Sequence, residues 1–311
     1  MKNFFGILLI LLLVILVAGC SSIKVGIYDL SICAERNLSC MKVSSLNVNG
    51  QTISYLERPG RGETIVLLHG FAANKDYWVR FSRHIPKEYR VIAFDLPGHG
   101  DSSHLENQTY DIDFITKGFA QAADALKLST FHLVGNSMGG YVSMLYCVQN
   151  PQRVTTLCLI DPAGIQSPQK SDLQILQEQG KNLLIATTKD EYQELMKLGF
   201  YKQPFIPQPI ISVLADKAIQ DSAFNQKMWN DIRFHWKDAL PLLPEIKPPT
   251  LLIWGDKDRI IHVSAVQVYE NKVPNIKTVI MKDCGHVPMV ERPKETAGHY
   301  ISFLKEHEKK I

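Results

Sequence analysis

Phe131-His132-Leu133-Val134-Gly135-Asn136-Ser137-Met138-Gly139-Gly140-Tyr141 is the stretch that decides the fold. A strand-like run leads into Gly-x-Ser-x-Gly, and a helix-like run over residues 141–148 leads out. On a sharp strand-to-helix turn the hydroxyl of Ser137 is lifted clear of its neighbours. Small residues two before and two after it let strand and helix approach closely. A helix N-cap would also suit a serine here, but the flanking glycines and the strand before it favour a nucleophile.

The pattern extends outward from this turn. Short apolar runs at 64–68, 91–94, 131–134, 154–160, 250–254 and 278–281 read as strands, and near-continuous apolarity suits strands buried on both faces of a parallel sheet. Helical patterns lie between them at 112–126, 138–147, 264–270 and 295–306. Such alternation predicts a doubly wound α/β sheet. Residues 46–57, centred on Asn49-Gly50, read as a hairpin before the first crossover. From Pro162 to about Pro248 the rhythm breaks. Helical stretches recur at 172–179, 190–198, 210–219 and 225–236 without a clear strand, punctuated by Pro204, Pro207 and Pro209. A helical insertion of this kind reads as a cap over the carboxyl edge of the sheet, where open α/β folds bind ligands. The expected organisation is 1–20 signal, 21–41 tether or linker, 42–161 core, 162–248 helical cap and 249–311 core.

Composition narrows the function classes. With 311 residues, 45% hydrophobic, 21% charged and a net charge of +3, the chain is an ordinary globular protein, and no basic cluster argues for nucleic acid. The N-terminus departs from the average. Lys2 precedes an apolar run over 4–18 that ends Val17-Ala18-Gly19-Cys20-Ser21-Ser22. A charge, an apolar core and then small residues describe an export signal. The Val-Ala-Gly-Cys ending resembles a bacterial lipobox, which implies a lipid on Cys20, and Ser21 beside it resembles lipoproteins sorted to the outer membrane. An uncleaved anchor helix is the alternative, since about 17 apolar residues is the lower limit for spanning a bilayer. Either route tethers the remainder to a membrane outside the cytoplasm. Cys33 and Cys40, seven apart in a polar segment, suit a local disulfide in an oxidising compartment. Cys147, Cys158 and Cys284 read as buried thiols. No Cys/His spacing resembles a zinc site, so neither metal nor cofactor is implied.

Nucleophilic catalysis needs a base and an acid to complement Ser137. His286, in Asp283-Cys284-Gly285-His286-Val287-Pro288, follows the last expected strand, which suits the chain order serine, acid, histidine. Backbone N–H groups fixed before reaction are the best oxyanion donors. Met138, directly after the nucleophile, and Phe71, in the His69-Gly70-Phe71-Ala72 loop after the strand at 64–68, fill that role. Asp95-Leu96-Pro97-Gly98-His99-Gly100-Asp101-Ser102 is a dense cluster of turn formers, in which His99 reads as structural. For the acid, Asp256 and Asp258 in Trp254-Gly255-Asp256-Lys257-Asp258-Arg259 and Asp161 after the strand at 154–160 are all candidates.

His-Gly-Phe, Asp-Leu-Pro-Gly-His-Gly, Gly-Asn-Ser-Met-Gly-Gly, Trp-Gly-Asp-Lys-Asp and Cys-Gly-His-Val-Pro stand here in the order and spacing of the α/β-hydrolase family. The chain resembles that family from about Lys42 to its C-terminus, and within it the membrane-bound monoacylglycerol lipases and bacterial cold-active lipases. The closer likeness rests on Asn74-Lys75-Asp76, Asp161-Pro162-Ala163-Gly164 and His286-Val287-Pro288-Met289-Val290-Glu291. The resemblance implies an α/β-hydrolase fold with a helical cap and favours Asp258 as the acid. Asp161 stays a candidate because some relatives place the acid there. It also implies hydrolysis of acyl-glycerol esters, mono-acylglycerols first, through an acyl-enzyme. Tyr192, Met196, Phe200, Tyr201, Phe205, Ile206, Trp229 and Trp236 in the cap suit an apolar acyl pocket, although such residues also pack cap against core. Carbon–carbon bond hydrolases of ring-cleavage products share Gly-Asn-Ser-Met-Gly-Gly. Val287 after the base and the glycine-poor oxyanion loop count against that reading. A non-catalytic surface lipoprotein is the third reading, and the intact set of motifs counts against it.

Overall fold

A computed structural model describes residues 21–307. The expected signal or anchor and the lipidation of Cys20 fall in residues 1–20, outside the described residues. Among the described residues, no helix is long and apolar enough to cross a membrane.

The Asn49-Gly50 hairpin joins β1 (Lys42–Val48) to β2 (Gln51–Arg58), paired antiparallel from Lys42 with Glu57 to Val48 with Gln51. Both turn residues take positive φ, 51° for Asn49 and 81° for Gly50, as a two-residue turn must to follow the twist of its strands. The sheet continues with β3 (Thr64–Leu68), β4 (Arg90–Phe94), β5 (Phe131–Asn136), β6 (Val154–Ile160), β7 (Thr250–Gly255) and β8 (Ile276–Met281), in the order β1-β2-β4-β3-β5-β6-β7-β8. From β4 onward every neighbouring pair is parallel. Every residue of β5 and β7 is buried, which accounts for their near-continuous apolarity, whereas β1 and β8 at the edges are partly exposed. Parallel pairing brings the carboxyl ends of β3, β5, β6, β7 and β8 to one edge, and the loops that follow them carry the site.

Helix α1 (Ser21–Leu38) precedes the sheet, and α2 (Val79–Ser82) follows β3. One face of the sheet packs on α3 (Ile112–Ala125), α4 (Met138–Gln149) and α9 (Ala265–Lys272). The other packs on α2 and α11 (Pro293–His307), through Phe81, Tyr300 and Phe303. Between β6 and β7 lie α5 (Asp172–Glu178), α6 (Lys189–Gly199), α7 (Gln208–Gln220) and α8 (Ser222–Phe234); α10 (Pro288–Glu291) follows β8. Short side-chain oxygens cap the starts of α3, α5 and α6. Asp111 accepts the Phe114 N–H at 2.7 Å, Ser171 that of Gln174 at 3.1 Å and Thr188 that of Glu191 at 3.2 Å.

Residues 21–41 differ from the expected tether. Helix α1 lies against α7 and α2, with Tyr28 buried beneath Lys217, whose Nζ is 4.3 Å from the ring centroid. Arg36 grips Asp76 with two parallel bonds of 2.7 Å, and Glu35 receives Arg80 at 3.0 Å and Arg83 at 2.5 Å. These partners lie 40 or more residues away, beyond any local pattern, so the segment reads as a polar linker until it is folded. The expected disulfide also gives way: Cys33 and Cys40 are both free and exposed. Cys33 lies within α1, whereas Cys40, at φ 57°, sits on the turn beyond it that returns the Met41 N–H to the Arg36 carbonyl at 2.9 Å.

Candidate active site

Ser137 stands at the junction of β5 and α4 with φ 53° and ψ −121°. A non-glycine residue in this region costs of order 1–3 kcal/mol, so the surroundings must hold it. Its N–H donates to the Ile160 carbonyl at 3.1 Å, and its own carbonyl accepts from Gly140 and Ala163, each at 2.9 Å. The glycines permit the close approach. A Cβ on Gly135 would fall 2.3 Å from the Gly139 carbonyl oxygen, and one on Gly139 would fall 2.3 Å from that of Leu68.

The loop after β3 presses on the nucleophile from the other side. A Cβ on Gly70 would come 3.1 Å from the Cβ of Ser137. Among the described residues, neither the Phe71 N–H nor the Met138 N–H enters a hydrogen bond. Met138 is the first residue of α4, where backbone donors have no intrahelical acceptor. Buried polar contacts hold this loop. The Leu96 N–H donates to His69 Nε2 at 3.1 Å, which leaves Nδ1 to donate to the Gly70 carbonyl at 2.7 Å. Burial pushes the His69 pKa down to about 4, so the ring is neutral. Lys75 Nζ joins Asp95 and Asp101, each at 2.6 Å, and ties this loop to the one after β4. His99 is buried among the same residues, its Nδ1 3.0 Å from the Pro97 carbonyl and its ring against His69 and Phe71. Its contacts are therefore with the loop framework.

His286 lies in the loop after β8, buried, with Nδ1 2.8 Å from Asp258 Oδ2. The other oxygen of Asp258 accepts the N–H groups of Ile260 and Ile261 at 2.8 and 2.9 Å. Asp256 instead accepts the Cys284 N–H at 3.4 Å and pairs with Lys257 at 3.1 Å, shaping the turn. Asp161 is fully buried close by, and its Oδ1 accepts the Gly255 N–H at 2.9 Å. Two further side chains, Asn136 and Glu291, support the site. Asn136 Nδ2 donates to the carbonyls of Ile160 and His286 at 3.0 and 3.1 Å, joining β5, β6 and the histidine loop. Glu291 accepts from Gly285, Tyr201 and Lys202 at 3.0, 3.1 and 2.8 Å. The signal for Asn136 is a polar side chain ending a largely apolar strand, and that for Glu291 is its place in the His286-Val287-Pro288-Met289-Val290-Glu291 stretch.

A cavity of about 370 Å³ opens beside Ser137, lined by Phe71, Met138, Leu173, Trp229, Trp236 and Ile260 among others. Trp229 meets Phe71 edge-on at 5.5 Å, and Trp236 meets Tyr141 at 5.6 Å. The structure separates the aromatic set expected to form one acyl pocket. Trp229 and Trp236 line the cavity at Ser137, but Tyr192, Met196, Phe200 and Ile206 line a second one of about 430 Å³ with Tyr28, Ile32 and Leu38 of α1. Phe205 and Tyr201 are exposed, Phe205 by 88%. Helix α6 turns its apolar side toward α1 and α7 because the folded 21–38 segment supplies a partner surface there.

Residues 65–299 match the model of a family described as alpha/beta hydrolase family. Monoacylglycerol lipase ABHD6 of Homo sapiens is 35% identical over 263 residues, covering 81% of this chain and 78% of that protein. Lipase 1 of Psychrobacter immobilis is 32% identical over 276 residues, covering 86% of each. A solved bacterial membrane phospholipase A, described as a virulence factor, superposes with a TM-score of 0.91 at 38% identity, covering 99% of this chain and 100% of that one. The meta-cleavage product hydrolase of Pseudomonas fluorescens IP01, at 22% identity and a TM-score of 0.73, shares the fold. The chain belongs to the alpha/beta hydrolase family and is a lipase-like carboxylic ester hydrolase.

Proposed function

We propose that the protein cleaves acyl-glycerol esters, mono-acylglycerols in particular, through an acyl-enzyme on Ser137. The observation that carries this reading is the left-handed serine at the mouth of an apolar cavity, flanked by the unused Phe71 and Met138 N–H groups. In this scheme His286 takes the proton of Ser137 as the hydroxyl attacks the acyl carbonyl. It then passes that proton to the departing glycerol oxygen and finally activates a water to free the acyl group. Asp258 holds the imidazole by its Nδ1 side, and the two N–H groups receive the developing oxyanion. Trp229 and Trp236 give the acyl chain an apolar wall.

A second substrate class, the glycerophospholipids, is favoured by the likeness to a membrane phospholipase A along nearly the whole chain. The test uses protein beginning at Ser21 and its Ser137→Ala variant. Both are treated with a fluorophosphonate probe and offered mono-, di- and triacylglycerols and phosphatidylcholine. Labelling and monoacylglycerol turnover that vanish in the variant support the proposal. Labelling without acyl-ester turnover would sink it, and preferential phospholipid cleavage would move the substrate to the second class.

Residues 1–20 are proposed to export the chain and tether it at the outer membrane through a lipid on Cys20, which would keep the site beside its lipid substrate. A palmitate analogue supplied during growth should label the protein and fail to label Cys20→Ala. A variant that stays membrane-bound without label would point to a retained anchor instead.

A further inference from the structure

The carboxyl of Asp161 has an unusual position. It sits at the end of β6, fully buried, in a residue with φ 43°. A carboxyl oxygen of Asp161, one of Asp258 and a ring nitrogen of His286 all lie within 4.8 Å of one another. Asp161 Oδ1 is served by the Gly255 N–H, while Oδ2 is buried with no hydrogen-bond donor among the described residues. Two ionised carboxylates this close, with one oxygen unserved and water excluded, would each carry an uncompensated cost. One proton removes the conflict, because a carboxylic acid donates where a carboxylate only accepts.

We infer that Asp161 keeps its proton and donates it from Oδ2 to the Asp258 carboxylate, acting as a positioning residue for the acid that orients His286. Asp258 then has a donor on every side: His286 Nδ1, the N–H groups of Ile260 and Ile261, and the Asp161 hydroxyl. A single negative charge faces the imidazole instead of two. Burial raises the Asp161 carboxyl well above the usual range, and the Asp258 charge raises it further. The titratable groups around it are Asp258, His286, Glu291 from α10, whose charge also raises it, and the thiol of Cys284, which burial keeps protonated.

The inference rests on Asp258 and His286 acting as proposed, so one readout is independent of activity. Infrared difference spectra of wild type against Asp161→Asn at neutral pH should show the carbonyl stretch of a protonated carboxylic acid, present only in wild type. Its absence would overturn the proposal whatever the triad does. In kinetics, Asp161→Ala should lower kcat about 10- to 100-fold with KM unchanged, the range for a lost hydrogen bond to a charged group. Asp161→Asn, whose amide can donate to Asp258 and still accept from Gly255, should recover most of that loss. The acid limb of the kcat/KM pH profile should stay in place in Asp161→Asn, because no charge has been removed. A shift of that limb to lower pH by about one unit or more is what loss of a nearby negative charge produces, and it would show that Asp161 is ionised. Equal loss in the Asn and Ala variants would also refute the donor role.

Discussion

His286 Nδ1 and Asp258 Oδ2 meet at 2.8 Å although 28 residues separate them in the chain. Asp258 is held for that contact by two backbone N–H groups on its other oxygen. Asp258→Asn should preserve the fold but leave the imidazole in the wrong tautomer, lowering kcat by about 10⁴-fold. Steady-state kinetics check this. Near-normal turnover would transfer the orienting role to Asp161, the other carboxyl within reach.

Ser137→Ala should abolish fluorophosphonate labelling and lower kcat by roughly 10⁴- to 10⁶-fold. Thermal stability should be unchanged, since the bonds that hold this residue are made by its backbone N–H and carbonyl. Labelling kinetics and a melting curve on the same preparation test both halves.

Gly139→Ala should destabilise the protein by about 3 kcal/mol or more, because its Cβ would collide with the carbonyl oxygens of Leu68 and His69 at 2.3 and 2.5 Å. Gly298→Ala, inside α11 where a Cβ meets nothing within 4 Å, should instead stabilise by about 0.5–1 kcal/mol. Denaturant midpoints of the two variants should therefore move in opposite directions.

Removal of residues 1–20 should leave stability unchanged, whereas removal through Leu38 should lower Tm by about 5–10 °C. The longer deletion takes away the partners of Asp76, Arg80 and Arg83 and opens the cavity lined by Tyr192 and Phe200. Equal melting temperatures for the two proteins would mean that α1 adds nothing to the fold.

Burial lowers the His69 pKa from 6.5 to about 4, and burial with the adjoining His69 lowers that of His99 to about 3. The unfolded chain therefore binds more protons than the folded one as soon as the pH falls below about 6.5. Stability should be full above that pH, decline as it falls, and have lost the His69 contribution, about 3 kcal/mol, by about pH 4. Urea unfolding from pH 8 to pH 4 should show this decline, with a shallower slope in His69→Gln.

The architecture was legible in short stretches of sequence because it is written there at the scale of one strand or one turn. Largely apolar segments of five to seven residues in β3, β5 and β6 specify strands covered on both faces. The Gly-x-Ser-x-Gly turn specifies a close strand–helix approach. Parallel strands in one sheet then bring Ser137, Asp258 and His286 to a common edge through their order along the chain. The rest depended on contacts between distant segments. Residues 21–41 carry no strong periodicity, and their helix is secured by Asp76, Arg80 and Arg83, which only the folded chain brings near. The cap aromatics look alike in sequence, yet Trp229 faces Ser137 while Tyr192 and Phe200 face α1, because helix packing rather than residue type chooses the exposed side. Asp161 is one more polar residue at a strand end until burial beside Asp258 governs which form of its carboxyl can exist there. Sequence alone thus determined the strand–turn–helix framework and the order of Ser137, Asp258 and His286 along it, since local sterics and periodicity act within a few residues. Tertiary structure alone decided which side chains share a cavity and which carboxyls are buried side by side, since burial and electrostatics depend on everything that surrounds a group.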